Sequence, residues 1–395
     1  MRRVIIEPRS DWQARVERVG LTYHTLENGT PYWDESAYWE FRSSEIDRLE
    51  AATAEVQRLA LAAGDIILNQ DRLAQMGIPA EAAPAIRAAW NSEPPALYGR
   101  LDLAYDGTTI KLLEYNADTP TGLVEAAVAQ WYWLEECYKD ADQFNSLHEK
   151  LIAKWKDLKD YIPSGVYFAD GGSEEDRMTV SYLQDTAQQG GLKTRHIAMH
   201  EIGWDAKRLR FVDLNNRVME TLFKLYPWEW LLNEPFAQQA LSTLPPQAAL
   251  QEYGPRKDRR QWGSMLWIEP IWKMMWSNKA LLAILWELNP GHDLLLPAYL
   301  DGPHELTSYV RKPIFGREGA GIAVVRDGVA VEGVLTGENE QGYVYQALAP
   351  MATANGKTAV FGSWLVDGEP AGMGVRESTG LVTNNTSCFV PHLFR

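Results

Sequence analysis

The sequence predicts a protein that mixes α-helices and β-strands, and three stretches of the chain support this prediction. Residues 98–121 alternate like a β-hairpin, with two strand-like runs around an Asp-Gly-Thr-Thr turn. Residues 166–169 form a short apolar run, followed by a glycine-containing loop and a helical pattern, as in an α/β unit. Residues 320–390 contain several short strand patterns. The predicted class is therefore α+β or α/β.

The overall composition limits the classes of partner. The chain has 395 residues, 46% of them hydrophobic, which allows a large core and two or three lobes. Its net charge of −15 argues against nucleic acid as the main partner, because phosphates would be repelled. The same charge is compatible with a cationic small molecule. No run of about 18 apolar residues occurs, so we expect no membrane-spanning segment.

Cysteine content and the N-terminal residues favour a reducing compartment. The two cysteines, Cys137 and Cys388, have neither zinc-site nor CxxC spacing. The N-terminal residues reach Glu7 and Pro8 before an apolar segment of signal-peptide length can form. We therefore expect a cytoplasmic protein. No GxSxG elbow is present, so covalent acyl transfer lacks a candidate nucleophile.

The first part of the chain predicts helices on both sides of the hairpin. An apolar stripe at helical spacing covers residues 44–63, and Ser43 or Ser44 could cap this helix. The other helices predicted in this part cover residues 73–91, 123–138 and 143–161.

The rest of the chain predicts an α/β unit and further strands. In this unit the strand covers residues 166–169 and the helix covers residues 179–189. His196 and His200 are four residues apart, a spacing that suits a metal site only on a helix. The other predicted elements are strands at 196–199, 210–214, 294–298 and 308–314, helices at 277–288 and early in 237–254, and an exposed basic loop at 256–260.

The register of the hairpin decides which of its polar side chains share a face. Arg100 and Asp102 lie on one face of the first strand, and Glu114 and Asn116 on one face of the second, because side chains alternate. With a loop of residues 107–109, Asp102 lies opposite Glu114 and Arg100 opposite Asn116. Directly opposed side chains have Cβ atoms about 5 Å apart.

Two facing carboxylates repel each other unless a cation lies between them. Carboxylate and amide oxygens are ligands that suit Mg²⁺. A solvated hairpin with cross-strand ion pairs explains the same spacing, so the pattern alone leaves both interpretations open. In this register the buried face of the hairpin would carry Leu101, Leu103, Leu113 and Tyr115.

Two stretches invite comparison with nucleotide-binding motifs. Residues 356–358, Gly-Lys-Thr, are not a P-loop, because Met351 stands where that motif needs an earlier glycine. Residues 316–321 lack dinucleotide spacing, but they form a glycine-rich loop after a strand that carries Lys312. Such a loop can fold over phosphates, since backbone N–H groups approach closely where Cβ atoms are missing. Alternatively, Lys312 is a surface lysine on an edge strand.

Three runs of sequence carry a family resemblance. They are residues 99–121 with the motif LLEYNADTPT, residues 269–299 beginning EPIWKMMWSNK, and residues 309–322, YVRKPIFGREGAGI. In this order they resemble the synthetase domain of the glutathionylspermidine synthase family, a group of ATP-grasp carboxylate–amine ligases. The resemblance extends from about Arg15 to the C-terminus, and the most similar branch is that of the stand-alone acid–amine ligases.

The resemblance implies an ATP-grasp fold of the glutathionylspermidine synthetase type, with several lobes around a central nucleotide cleft. It implies a single ligase domain over residues 1–395. Within this domain we expect a lobe with the metal-site hairpin and helices (1–160), an α/β substrate lobe (161–260) and an ATP-binding lobe with a glycine-rich lid (261–395).

The resemblance also implies roles for individual residues. Arg100 matches the catalytic arginine that steadies the transferring phosphoryl group. Asp102, Glu114 and Asn116 match the ligands of magnesium, with two ions expected. The residues that match ATP contacts are Arg100, Asp102, Lys279, Lys312, Gly316, Arg317, Gly319, Gln346 and Arg376. The residues that match substrate contacts are Thr119, Thr121, Glu175 and Asp176.

The function implied by the resemblance is that of an ATP- and magnesium-dependent ligase. It would join a small-molecule or peptide carboxylate to an amine, forming an amide bond through an acyl phosphate. Thr119 and Thr121 replace serines of the family, and residues 171–230 match weakly, so nucleotide chemistry is better supported than glutathione or spermidine as substrates. The alternatives are an ATP-binding polyamine or peptide sensor without ligase activity, and phosphotransfer to a small molecule.

Overall fold

The structure, a computed structural model, describes residues 1–245, 263–335, 341–384 and 387–395. Within these ranges helices and strands occur along the whole length, and the strands form five separate sheets. The predicted mixed α and β class is confirmed. The α-helices are α1 (Trp12–Arg18), α2 (Ser43–Asn69), α3 (Ala83–Ser92), α4 (Gln130–Cys137), α5 (Leu147–Leu158), α6 (Glu174–Gln189), α7 (Trp228–Leu231), α8 (Ala237–Thr243) and α9 (Ala280–Leu288).

Two antiparallel sheets contain the hairpin and most of the C-terminal strands. The six-stranded sheet consists of β19 (Cys388–Val390), β18 (Glu369–Ser378), β17 (Lys357–Val366), β3 (Tyr98–Tyr105) and β4 (Ile110–Asn116) in this order, with β16 (Ala352–Ala354) paired to β17. The five-stranded sheet consists of β11 (Ala298–Tyr299), β15 (Tyr343–Ala347), β12 (Tyr309–Pro313), β13 (Ala323–Arg326) and β14 (Val329–Glu332). The six-stranded sheet thus joins strands that are far apart in the chain.

The third large sheet is parallel, and α6 supplies the crossover between two of its neighbouring strands. Its strands are, in spatial order, β10 (Leu266–Ile268), β9 (Thr221–Leu225), β5 (Val166–Asp170) and β6 (Thr194–Ala198). The small sheets consist of β1 (Arg2–Ile5), β2 (Ala37–Phe41) and β20 (His392–Phe394), and of β7 (Gly203–Asp205) and β8 (Arg210–Val212). The lobe boundaries expected from the family remain a prediction.

Buried helix faces and large aromatic side chains fill the space beside the sheets. Helix α2 packs on the six-stranded sheet, where Thr53 Oγ1 lies 2.6 Å from Ser363 Oγ. Beside the parallel sheet, Trp155 of α5 is fully buried, and its ring centroid lies 5.7 Å from that of Phe168. Such aromatic pairs contribute strongly to cores. Among the described residues, we find no helix with the length and apolar character that crossing a membrane requires.

The predicted pairing at the inner end of the hairpin is confirmed. Arg100 lies opposite Asn116, and Asp102 lies opposite Glu114. Strand β3 is also paired to β17 on its other edge, so the hairpin is an internal part of the sheet. Because both edges of β3 are hydrogen-bonded, the positions of Arg100 and Asp102 are fixed by the sheet.

The loop of the hairpin differs from the prediction. Tyr105 pairs with Ile110, so the loop contains one residue more, and Asp106 Oδ1 accepts two backbone N–H groups of the loop at 2.8 and 2.7 Å. A β-bulge next to the paired carboxylates absorbs the extra residue and restores the predicted register beyond it. As a result Leu112 is buried instead of Leu113, and the prediction for Leu113 is wrong.

Two helices begin at other residues than predicted. Neither predicted serine caps α2; the carboxylate of Glu45 instead accepts the backbone N–H of Arg42 at 2.9 Å. Helix α6 begins at Glu174, earlier than predicted, because Ser173 Oγ accepts the backbone N–H of Asp176 at 3.0 Å. The residues between β5 and α6 therefore form a tight turn rather than a long loop.

One further prediction from the second half of the chain is wrong, and the histidine spacing gives no metal site. Residues 294–297 are irregular, and only the short β11 follows them. His196 and His200 do not share a helix, since His196 lies in β6. The described residues contain no group of three or more His, Cys, Asp or Glu side chains that could hold a metal. The helix predicted early in 237–254 is present as α8. The basic loop predicted at 256–260 lies outside the described residues.

A buried ion pair joins the segment after the hairpin to the parallel sheet. Lys224 Nζ of β9 lies 2.8 Å from Asp118 Oδ1, and both side chains are almost completely buried. The second carboxylate oxygen of Asp118 accepts the backbone N–H of Trp228 at 2.9 Å. Burial lowers the pKa of Lys224, and Asp118 opposes this change. The pair fixes the hairpin segment against the carboxyl end of β9.

Candidate active site

A cavity of about 620 Å³ lies where the three large sheets meet. The antiparallel sheets contribute residues from β3, β4, β12, β15 and β18. The parallel sheet contributes residues beyond the carboxyl ends of β5 and β9, where such sheets commonly bind ligands. The cavity is lined by all the predicted site residues, namely Arg100, Asp102, Glu114, Asn116, Thr119, Thr121, Glu175, Asp176, Lys279, Lys312, Gly316, Arg317, Gly319, Gln346 and Arg376. The predicted convergence of Asp102, Glu114 and Asn116 beside Arg100 is confirmed, while the roles of all these residues remain predictions.

Arg100 and Asp102 form a buried ion pair on β3. Arg100 Nε lies 2.6 Å from Asp102 Oδ1, and a terminal nitrogen lies 3.2 Å from Oδ2. The other terminal nitrogen donates to the backbone oxygen of Thr121 at 2.5 Å. Burial lowers the pKa of Arg100, but the attraction to Asp102 outweighs this effect and raises it. The guanidinium is therefore permanently charged and held at the cavity wall.

Glu114 lies between two lysines that come from distant parts of the chain. Lys279 Nζ is 3.0 Å from Glu114 Oε2, and Asn116 Nδ2 donates to Glu114 Oε1 at 3.0 Å. Although burial raises the pKa of Glu114, the charges of Lys279 and then Lys312 lower it well below its usual value. The predicted convergence of the two lysines on one pocket is confirmed.

Lys312 is a buried group rather than a surface lysine. Its Nζ donates to the backbone oxygen of Leu113 at 2.9 Å and to Gln346 Oε1 at 2.8 Å. Burial lowers the pKa of Lys312 to about 8, although Glu114 attracts its proton. Gln346 Nε2 donates to the backbone oxygen of Leu112 at 2.9 Å, so this glutamine connects β15 with both the lysine and the hairpin.

The glycine-rich loop after β12 closes one side of the cavity. Lys279 Nζ donates to the backbone oxygen of Gly316 at 2.6 Å. Gly319 has a φ of +74°, and a Cβ atom there would lie 2.8 Å from the backbone oxygen of Thr383. The loop needs glycine at this position, because both the φ angle and the close approach disfavour a side chain.

Arg317 connects the same loop to the opposite wall. Its guanidinium lies 2.5 Å from Glu229 Oε1 and donates to Thr119 Oγ1 at 2.9 Å. It also lies over the ring of Trp230, 5.5 Å from the centroid. Arg317 is therefore paired with residues of α7 and of the hairpin segment, and the loop is held across the cavity.

The wall formed at the start of α6 is acidic. Glu175 and Asp176 line the cavity with neighbouring carboxylates from this turn, from α7 and from the glycine-rich loop. Burial raises the pKa of Asp176 to about 6, and repulsion by Glu175 adds to this, while Ser173 acts against it. The Tyr32 hydroxyl donates to Glu175 Oε1 at 3.2 Å. Arg317 is the cation that touches this wall in the described structure, through Glu229.

Arg376 contributes a positive charge from β18. A terminal nitrogen of its side chain donates to the backbone oxygen of Asn384 at 2.6 Å, and the guanidinium lies over Phe389 at 5.4 Å. Its Nε is buried and has no hydrogen-bond partner among the described residues.

The residues present fit a magnesium site. Asp102 and Glu114 face each other across the hairpin, and the Asn116 amide lies 3.4 Å from Asp102 Oδ2 and 3.0 Å from Glu114 Oε1. Rotating that amide by half a turn would point its oxygen toward both carboxylates. Two carboxylates and an amide are the oxygen ligands that Mg²⁺ prefers. In the structure Arg100 pairs with Asp102 and Lys279 pairs with Glu114. These two cations offset the repulsion between the carboxylates that the sequence predicts.

Several cavity residues are not apparent from sequence patterns alone. Glu229 and Trp230 lie in a short aromatic helix that resembles an ordinary core segment, and Tyr23 lies far away near the N-terminus. Glu318 was within a recognised loop, but nothing in its spacing indicates that it faces other carboxylates. The Trp-Glu-Trp spacing of α7 is the one signal that could have suggested an exposed, functional segment.

Comparison with known proteins gives a consistent result. The model of the glutathionylspermidine synthase preATP-grasp domain matches residues 3–395. A Haemophilus influenzae protein named "Putative acid–amine ligase" is 37% identical, and the alignment covers 100% of both chains.

Two longer relatives are less similar. Trypanothione synthetase of Crithidia fasciculata is 28% identical over 83% of this chain and 52% of that protein. The bifunctional glutathionylspermidine synthetase/amidase of Escherichia coli is 29% identical over 90% of this chain and 58% of that protein. The chain thus spans little more than half of the length of these two relatives.

These matches, together with the cavity, define an ATP-dependent ligase. The chain belongs to the glutathionylspermidine synthase family.

Proposed function

We propose that this protein is an ATP- and magnesium-dependent carboxylate–amine ligase that forms an amide bond through an acyl phosphate. The observation that carries the proposal is the division of one cavity into two walls. The antiparallel wall carries Arg100, Lys279 and Lys312 beside the carboxylates of Asp102 and Glu114. The acidic wall, at the start of α6, carries carboxylates in excess, including Glu175 and Asp176. Nucleotide phosphates suit the first wall and a cationic amine suits the second.

The nucleotide would bind along the antiparallel sheets. Lys279 and Lys312 are buried cations at the cavity surface, and charge-assisted contacts to phosphate are strong. The glycine-rich loop lies beside Lys279 and could cover the phosphates with backbone N–H groups. Leu113 and Met351, which also line the cavity, provide apolar surface suited to the adenine ring.

Magnesium would be held by Asp102, Glu114 and Asn116. When bound, it supplies positive charge that offsets the charge of the phosphates during transfer. Arg100 and Lys279 occupy the same carboxylates in the structure. We expect both cations to turn from these carboxylates toward phosphate oxygens when nucleotide and metal enter.

Arg100 would act on the transferring phosphoryl group. Its guanidinium is planar and has several donors, so it can contact two phosphoryl oxygens at once, which lysine cannot do. Sheet pairing on both edges of β3 fixes its backbone, and the Thr121 oxygen orients one terminal nitrogen. Positioning of this kind is what phosphoryl transfer requires of a protein.

The carboxylate and the amine would meet between the two walls. Thr119 and Thr121 offer hydroxyl groups next to Arg100 and Arg317, a suitable position for the acid substrate. Glu175 and Asp176 offer negative charge for the ammonium group of the amine. Relatives are named for glutathionylspermidine and trypanothione, so glutathione and polyamines are the first substrates to examine.

The lid would protect the acyl phosphate from water. Arg317 ties the glycine-rich loop to Glu229 and Thr119, so the loop already spans the cavity in the structure. An acyl phosphate that meets water hydrolyses, and lid closure is a general means of preventing this.

A product assay tests the proposal. The protein is incubated with ATP, magnesium and a metabolite extract, and mass spectrometry searches for new amides that require both ATP and the protein. Glutathione with spermidine serves as the first defined pair. ADP formation together with an amide supports the ligase. Nucleotide binding without any product would instead support a sensor, and a phosphorylated small molecule without amide would support phosphotransfer.

A further inference from the structure

A serine two residues before Lys279 has a hydroxyl group whose acceptor capacity is already filled. Ser277 Oγ accepts the backbone N–H of Ala117 at 2.9 Å and that of Asp118 at 2.7 Å. A hydroxyl group has two lone pairs and one proton, so after these two bonds its remaining capacity is that of a donor. Hydrogen bonds in a chain polarise one another, so the two accepted bonds strengthen this donation.

The described residues offer this proton no acceptor. The hydrogen-bond partners of Ser277 Oγ among them are the two backbone N–H groups, which are both donors. The side chain is half-buried and lines the cavity, so its proton is directed there. Ser308, which does not line the cavity, differs: it accepts the backbone N–H of Asp327 at 3.0 Å and donates to Asp327 Oδ1 at 3.4 Å. An acceptor for Ser277 has to come from a molecule in the cavity.

The two accepted N–H groups place the hydroxyl between the predicted metal site and the predicted acid site. They belong to the two residues that follow Asn116, a predicted magnesium ligand, and precede Thr119, a predicted substrate contact. Lys279 follows Ser277 by two residues, and its amino group lies 3.0 Å from the predicted metal ligand Glu114. In the proposed function the terminal phosphoryl group of ATP lies beside the metal and passes to the acid. The hydroxyl lies beside the path of that group.

We propose that Ser277 donates a hydrogen bond to an oxygen of the phosphoryl group that ATP transfers. This inference rests on the proposed ligase function. During the transfer the bond between the terminal phosphorus and the ADP oxygen breaks, and a bond from this phosphorus to the carboxylate oxygen of the acid forms. The serine keeps its proton and forms no covalent bond. A hydrogen bond to a charged oxygen is stronger than one between neutral groups, so the contact adds affinity as well as direction.

The same serine also holds the segment after the hairpin, and the experiment has to separate the two roles. Removing the hydroxyl leaves two backbone N–H groups without their acceptor, which lowers stability. The carboxylate of Asp118 holds this segment independently, through Lys224 Nζ at 2.8 Å and the backbone N–H of Trp228 at 2.9 Å. We therefore expect Ser277→Ala to fold, with a lower melting temperature than the wild type.

The experiment compares two nucleotides that differ by the terminal phosphoryl group. A non-hydrolysable ATP analogue and ADP are each titrated by calorimetry, at low and at excess magnesium. The proteins are the wild type, Ser277→Ala, Ser277→Cys and the control Ser308→Ala, which removes a serine that also accepts a backbone N–H. Cysteine has a similar size, but its thiol is a weak donor and a weak acceptor. Thermal melting shows which variants are folded.

With excess magnesium, Ser277→Ala should bind the ATP analogue about tenfold to 100-fold more weakly than the wild type, the range for a hydrogen bond to a charged group. Its affinity for ADP should stay unchanged. A displaced segment would weaken both nucleotides alike, so the difference isolates the terminal phosphoryl group. Ser277→Cys should show the same selective loss, and it provides the test if the alanine variant does not fold. Ser308→Ala should bind both nucleotides as the wild type does.

An equal loss for both nucleotides, or no loss for either, would overturn the proposal. Recovery of wild-type affinity in excess magnesium would also overturn it, because the serine would then act only through the metal ligand Asn116. A raised KM for glutathione with unchanged binding of the analogue would assign the hydroxyl to the acid instead.

The same measurements distinguish failure of this contact from failure of the ligase function. If the selective loss occurs but the wild type forms no amide, the phosphoryl contact stands and the ligase function fails. If the wild type forms an amide and the selective loss does not occur, the ligase function stands and the contact fails. If the wild type binds neither nucleotide, both fail.

Discussion

The two walls of the cavity differ in how their charges are balanced. On the antiparallel wall, Glu114 lies between two lysines, and its pKa is lowered. Asp176, on the wall at α6, and Glu125, a buried residue that does not line the cavity, both feel the repulsion of Glu175; burial raises their pKa values to about 6 and about 7. The same kind of side chain is thus made more acidic on one side and less acidic on the other. We infer that the first wall suits phosphates and a metal ion, and that the second suits a cation.

The largest expected effect concerns the ion pair that joins the two walls. Asp118→Ala leaves Lys224 buried without its counter-charge, and removal of one partner of such a pair typically costs about 3–5 kcal/mol of folding free energy. Urea unfolding should measure this loss. The double variant Asp118→Leu with Lys224→Met removes both charges and should recover part of the stability. A loss below about 1 kcal/mol in the single variant would show that the walls are held together by other contacts.

A second prediction concerns Arg100 and the antiparallel wall. Arg100→Ala should lower kcat about 10²–10³-fold with a smaller change in the KM for ATP, because the stabilisation is exerted on the transition state. Asp102→Asn weakens the metal site instead, and added Mg²⁺ should restore part of its activity. Steady-state kinetics over a magnesium titration distinguish the two. If excess magnesium rescues Arg100→Ala equally well, Arg100 merely pairs with Asp102 in the hairpin.

A third prediction concerns Glu125 and pH. Its folded pKa of about 7 lies above the reference value of 4.5, so the folded protein binds an additional proton between these pH values. Folding stability contributed by this group therefore falls as pH rises from 4.5 to 7 and stays low above that. The free energy of unfolding of Glu125→Gln, taken relative to that of the wild type, should therefore rise by about 3 kcal/mol from pH 4.5 to pH 8. Urea unfolding at both pH values measures it, and an equal difference at both would contradict the raised pKa.

The antiparallel wall could be predicted in more detail than the acidic wall. The alternation of β3 and β4 places Arg100, Asp102, Glu114 and Asn116 on one face, and the register follows from a short loop. The actual loop is longer, and the register is right because a β-bulge compensates. Neither feature leaves a signal in the sequence, since a bulge depends on the neighbouring strands.

The acidic wall depends on burial, which one sequence does not reveal. Glu125 follows the hairpin motif in a helical pattern, where a glutamate is ordinarily solvent-exposed. Its burial results from the packing of the 125–129 turn against distant segments such as β18. Similarly, Glu229 becomes a site residue only because the glycine-rich loop places Arg317 against it. Contacts between distant segments decide these positions.

Binding of a non-hydrolysable ATP analogue with magnesium tests the division of the cavity most directly. We would measure it by calorimetry for the wild type, Lys312→Met, Glu175→Gln and the control Lys111→Met, whose amino group contacts backbone oxygens outside the cavity. Lys312→Met should weaken binding by about 1.5–3 kcal/mol, the value of a charge-assisted phosphate contact. Glu175→Gln and Lys111→Met should leave the affinity unchanged. Equal weakening by Lys312→Met and Glu175→Gln, or no weakening by Lys312→Met, would contradict the assignment of the nucleotide to the antiparallel wall.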